Sequence, residues 1–179
     1  MTEQRTVIEF SKSGVALELP ESTERIAGTF EAAADIGGKK TGLAVATMMY
    51  FPKTAEEYRS YSNLVPSGEQ PDEEALRKGA ELLMSGIIAF NIVGFDSRHT
   101  LESVQKIVNP EGKANFPEPI RIGEQDGFTY YLYPADPDEE GTREKIDTFP
   151  PEMKDEYLRI SRGLADNLQW LVLKPQMPE

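Results

Sequence analysis

Between Thr41 and Phe51 the chain alternates with a period of two, and both phases of the alternation are largely apolar. Leu43, Val45, Thr47, Met49 and Phe51 share one face of an extended segment, while Ala44, Ala46, Met48 and Tyr50 share the other. A strand of this kind belongs in the middle of a sheet, covered on each side. Upstream, Gly28 to Asp35 reads as its partner strand. Gly37 and Gly38 stand between the two and tolerate the positive φ of a tight primed turn, so the pair reads as a hairpin.

Two more hairpins follow from the same pattern. Val7 to Phe10 and then Val15, Leu17 and Leu19 flank the turn-like Ser11 to Gly14, and Pro20 closes that unit. Ile120 to Ile122 and Phe128 to Tyr133 flank Gly123 to Gly127. The longest apolar run, Gly86 to Phe95, reads as a buried strand, since it is far shorter than the roughly 20 residues that span a bilayer.

Helix signals alternate with these strands. Thr54-Ala55-Glu56-Glu57 is a capping box, so a helix is expected from Ala55. Pro71-Asp72-Glu73-Glu74 opens a second, with Leu76, Ala80 and Leu83 at helical spacing up to about Met84. Leu101, Val104 and Val108 form the stripe of a third, ended by Pro110 and laid on the sheet. Pro134 to Pro151 is acidic and Pro-bearing, which is loop chemistry. From Glu152 to about Leu171, Met153, Tyr157, Ile160, Leu164, Leu168 and Leu171 recur at spacings of three and four, the pattern of a long closing helix lying across the sheet as a lid.

The expected class is therefore α+β: an antiparallel sheet of about six strands built from hairpins, packed with three to four helices. The length of 179 residues suits one domain over 1–179, with 172–179 as a linker or tail. The net charge of -12, from 31 acids against 19 Lys plus Arg, repels phosphate backbones and anionic lipid. Nucleic acid and membrane insertion are accordingly not expected, and the partner to look for is another protein or a sibling domain. The absence of cysteine excludes thiolate nucleophiles, disulfides and Cys-ligated metals. The first residues lack the pattern of a secretory signal, so the chain as given is expected in the cytoplasm, or outside it if cut from an exported precursor.

The opening FSKSGVALELPES, a strand pair passing through glycine into a strand ended by Leu-Pro, resembles the start of PsbP-like domains. The hairpin series and terminal helix fit that layout, and the resemblance implies a noncatalytic accessory or binding module. A second stretch, FTYYLYPADPDEEG followed by EMKDEYLRISRGLADNLQWLVLKPQMP, is similar to segments that precede the thioredoxin-like domain in some exported redoxin-type proteins of anaerobic bacteria. It implies an accessory domain of such a protein, although the thioredoxin module and its CxxC are absent from this sequence.

Four places invite a chemical reading. His99, in Asp96-Ser97-Arg98-His99-Thr100, follows the buried strand; with Asp96 and nearby acids it would serve a small hydrolase-like enzyme, while the plainer reading is a loop in which Thr100 caps a helix. Gly37-Gly38-Lys39-Lys40-Thr41 lacks the spacing of a phosphate loop and stays a hairpin. Asp136, Asp138, Glu140 and Asp147 fall at positions one, three, five and twelve of a partial calcium loop, the alternative being a solvated acidic segment, with no cofactor. Tyr130, Tyr131 and Tyr133 offer apolar bodies with polar tips for a ligand, but their alternation divides them between two faces.

Overall fold

The computed structural model describes residues 5–10, 13–20, 32–50, 72–108 and 118–175. The helix expected from Ala55 lies outside these residues, as does the start of the strand expected from Gly28. Every strand pair is antiparallel. β3 (Ala32–Gly38), β4 (Leu43–Tyr50), β5 (Ile87–Phe95), β7 (Phe128–Pro134) and β6 (Ile120–Gln125) form one sheet in that order. β1 (Arg5–Phe10), β2 (Val15–Pro20) and β8 (Leu171–Leu173) form another.

The chain is thus α+β, with eight described strands in two sheets where about six were expected. β1 lies against β3 and β8 against β6, so the two sheets meet along both edges. That arrangement shields edge strands from pairing with other chains. Between the sheets sits the main core, to which Phe10, Leu17, Met48, Phe90, Tyr130 and Tyr157 contribute.

β4 holds the central place its sequence implies, between β3 and β5. Ala44, Ala46, Met48 and Tyr50 face the core and are fully buried, while Leu43, Val45, Thr47 and Met49 on the other face are half-buried. Register against β5 slips between Met48 and Met49, so that Met48 faces Phe90 and Met49 faces Ile88. Ala89 is the inserted residue, and its carbonyl accepts the Ala135 amide instead.

The hairpin turns sit elsewhere than the glycines suggested. Gly37 and Gly38 pair with Ala44 and Leu43 inside the ladder, and the chain reverses over Lys39 to Gly42. Gly42 is the residue in the left-handed region, at φ 69°, and a Cβ there would lie 2.4 Å from Asp96 Oδ1. At the third hairpin the turn contracts to Asp126 and Gly127, both with positive φ, and Gly123 is drawn into β6.

Among the helices, α1 (Glu73–Ser85) starts where expected, with Asp72 Oδ1 accepting the Ala75 amide at 2.8 Å. It buries Ala75 and Gly79 rather than Leu76 and Ala80, which are exposed. α2 (Leu101–Val108) lays Val104 on Val93 and Tyr133, as its stripe implies.

The acidic segment expected to be a loop contains a helix, α3 (Glu140–Ile146). Glu139 nucleates it by accepting both the amide and the hydroxyl of Thr142 at 3.0 Å, and Ile146 anchors it in the core. α4 (Pro151–Gly163) seats Met153, Tyr157 and Ile160 in the core but stops earlier than its apolar spacing suggested. Asn167 Nδ2 donates to the Gly163 carbonyl at 2.7 Å, and the chain then turns through Leu168–Trp170 into β8. Val172 and Leu173, expected to open a tail, pair with Ala16 and Val15.

Candidate functional site

The junction between β5 and α2 carries the one histidine, and the structure shows what holds it. Just after β5, the Asp96 amide donates to the Gly42 carbonyl at 3.0 Å. The Asp96 carboxylate then accepts the Arg98 amide at 2.9 Å and, on Oδ2, the Arg98 guanidinium at 2.8 and 3.0 Å. The guanidinium reaches onward to the carbonyls of Lys39, at 2.7 Å, and Lys40, at 3.2 Å. His99 Nε2 lies 3.0 Å from the next carbonyl, that of Thr41. Since a carbonyl only accepts, Nε2 carries the proton and donates.

Three consecutive carbonyls of the β3–β4 turn are thus gripped by Arg98 and His99. Hydrogen bonds from Arg98 hold the Asp96 carboxyl below its usual range, its backbone bond second to its side chain. Asp96 is ionised but occupied. No hydrogen bond joins Ser97 or Asp96 to the His99 ring among the described residues, so the relay of a nucleophile, base and orienting acid is not assembled. Thr100 does what the plainer reading asked: its hydroxyl accepts the Ser103 amide at 3.1 Å, while Ser103 Oγ accepts the Thr100 amide at 3.0 Å.

Beside this junction an open groove of about 650 Å³ runs to the β6–β7 turn, lined by Phe95, Asp96, Ser97, His99, Glu124 and Asp126 among others. A second groove of about 440 Å³, bordered by Met49, Ile88, Asp136, Glu139 and Lys145, lies between β4, β5 and α3. Lys145 Nζ donates to the carbonyls of Met84 and Gly86 at the end of α1. Both grooves are shallow, open features of the surface.

The tyrosines part company as their alternation requires. Tyr130 is fully buried between the sheets and donates to the Ser13 carbonyl at 2.7 Å, its ring fitting over Gly94, where a Cβ would come within 2.4 Å of it. Tyr131, on the outer face, stacks on Phe95 with centroids 5.8 Å apart. Tyr133 is buried on that same outer face beside Val93 and Val104. They line no common groove.

The four acids of the calcium pattern are engaged one by one, and α3 occupies part of the stretch read as a loop. Asp136 Oδ1 accepts the Asp138 amide, Asp138 pairs with Arg162 at 2.9 Å, Asp147 pairs with Lys154 at 2.7 Å, and Glu140 stands in the first turn of α3. Among the described residues no three His, Asp or Glu side chains gather as a metal site. Sequence reading passed over the grip of Arg98 on the turn, since nothing local marks carbonyls 58 and 59 positions away as its acceptors.

Compared with known proteins, the chain matches no family model, no curated protein and no solved structure.

Proposed function

We propose that this chain is a noncatalytic binding or accessory domain, PsbP-like in role, that presents a surface to another protein or to a sibling domain. The observation that carries the reading is the exposed stripe of α1. Leu76 is 59% exposed and Met84 76% exposed, and with the exposed Ala80 they stand four residues apart along one side of the helix. An apolar row on an otherwise charged helix is surface available to a partner. Glu73, Glu74 and Glu81 share the helix, and the chain's overall negative charge favours a partner with a basic rim.

The engaged state of Asp96 and His99 supports the same reading against the hydrolase-like one, because each is committed to holding a turn. Among the described residues no helix is long and apolar enough to cross a membrane. The test is site-specific cross-linking in cells of the source organism from a photoreactive residue at Ala80. A single discrete protein adduct, lost in the Leu76→Asp/Met84→Asp variant that still folds, is the expected result. Diffuse labelling, unchanged by that variant, would remove the proposal. A hydrolytic activity of the purified protein that disappears in a folded His99→Ala variant would favour the enzyme instead.

A further inference from the structure

With no cysteine in the chain, its sulfur chemistry falls to methionine alone. The methionines among the described residues have unlike surroundings. Met48 is sealed between the sheets at 0% exposure, and Met153 on α4 is 4% exposed. Met49, on the outer face of β4, is half-buried. Met84, in the last turn of α1, is 76% exposed. An oxidant must reach the sulfur lone pair, so exposure sets the order of reaction and Met84 stands ahead of the other three.

The site is also fixed in place. Lys145 Nζ, on α3, donates to the Met84 carbonyl at 3.1 Å and to the Gly86 carbonyl at 3.4 Å, and the adjacent Ile146 is buried in the main core. The backbone at Met84 is thereby tied to the body of the protein while its side chain stands in solvent, the last member of the row that begins at Leu76 and passes Ala80. The net charge of -12 repels anionic oxidants, which leaves neutral peroxides as the class that approaches freely. In the reaction the sulfur lone pair attacks one peroxide oxygen, and an S–O bond forms as the O–O bond breaks. Sulfur is oxidised by two electrons and the peroxide is reduced. The departing hydroxide takes the proton from the transferred hydroxyl and leaves as water, and a polar sulfoxide replaces the thioether.

We propose that Met84 is an oxidant-responsive modification site: a neutral peroxide converts it to the sulfoxide, which makes the stripe of α1 polar and releases the partner docked there, and reduction restores docking. The release rests on the docking role proposed for that stripe, whereas the selective oxidation does not. A docked partner covers the sulfur, so the reaction falls on the free protein.

The whole chain, purified, is exposed to graded hydrogen peroxide and mapped by peptide mass spectrometry. Met84 is expected to gain an oxygen while Met48 and Met153 remain unmodified and Tm is unchanged, because the Met84 side chain is no part of the core. Burial of a methionine side chain corresponds to about tenfold or more in affinity. After peroxide is removed, the adduct formed in a cell lysate from a photoreactive residue at Ala80 should therefore fall about tenfold, and recover on treatment with methionine sulfoxide reductases. Equal oxidation of Met84 and the buried methionines in the folded protein overturns the proposal. So does an adduct that forms undiminished once Met84 is fully oxidised, or one that falls as far in Met84→Leu, which would place the effect at another residue. No adduct even before oxidation removes the docking reading and the release with it, a result distinct from an adduct indifferent to peroxide.

Discussion

Ala44, Ala46, Met48 and Tyr50 on one face of β4 are sealed completely, whereas Leu43, Val45, Thr47 and Met49 on the other face are only half-buried. The inner face meets a second sheet and α4, and its large side chains find partners there. Tyr130 donates to the Ser13 carbonyl, and Tyr157 packs edge-on against Tyr50 at 5.6 Å while donating to the Ile88 carbonyl at 3.3 Å. The outer face is met by α2 through Val104, and there the Tyr133 hydroxyl stays buried without a hydrogen-bond partner. Equal hydrophobic alternation therefore produces unequal burial, because coverage is decided by what the rest of the chain lays on each face.

The contrast is sharpest under truncation. Phe90→Ala, inside, is expected to cost about 3–5 kcal/mol in urea unfolding, and Val45→Ala, outside, about 1 kcal/mol. Equal costs would erase the distinction between the faces. Next comes the turn beside the junction: Gly42→Ala must adopt φ 69° and push against Asp96, and a loss of about 1–3 kcal/mol is expected. Stability unchanged in that variant would mean the turn is not gripped as described.

Smaller effects come from ionisation. Burial pushes the Tyr157 hydroxyl up to about 12, so the folded state holds its proton more tightly than the unfolded state does. The associated stability is complete below the unfolded value near 10 and drains away as pH rises toward 12. Tyr157→Phe should flatten this alkaline limb of a Tm-versus-pH curve. Conversely, Asp96 and Glu139 are held below the carboxylate range by Arg98 and Thr142, so their contribution is present at neutral pH and fades as pH falls through about 4 and below. Both groups are half-buried and still reach solvent, and a modest drop in Tm, diminished in Asp96→Asn, is the outcome to look for.

What the sequence disclosed was local. The period-two run of β4, the apolar run of β5, the acidic start of α1 and the Thr100 cap of α2 each rest on neighbouring residues, and each is where the pattern put it. Most misjudged features depended on distant partners. Gly37, Gly38 and Gly42 compete for one turn, and it is the approach of Asp96 and Arg98 that selects Gly42. α3 hid in an acidic stretch because its cap is a glutamate and its core anchor a single isoleucine. The apolar spacing of α4 continues through Leu168 and Leu171, yet β2 captures that end as a strand. At the junction, His99 and Asp96 were visible as residues, but their engagement by a turn 58 positions away was not.

The small sheet joins segments far apart in sequence: the Lys174 amide donates to the Gly14 carbonyl, and Lys174 Nζ reaches a Glu9 carboxylate 165 positions earlier. Closing so long a loop is slow compared with zipping the hairpins of the larger sheet. Folding should accordingly begin in the middle of the chain and end at its rim, with the amides linking β2 to β8 the last to gain protection in pulse-labelled hydrogen exchange.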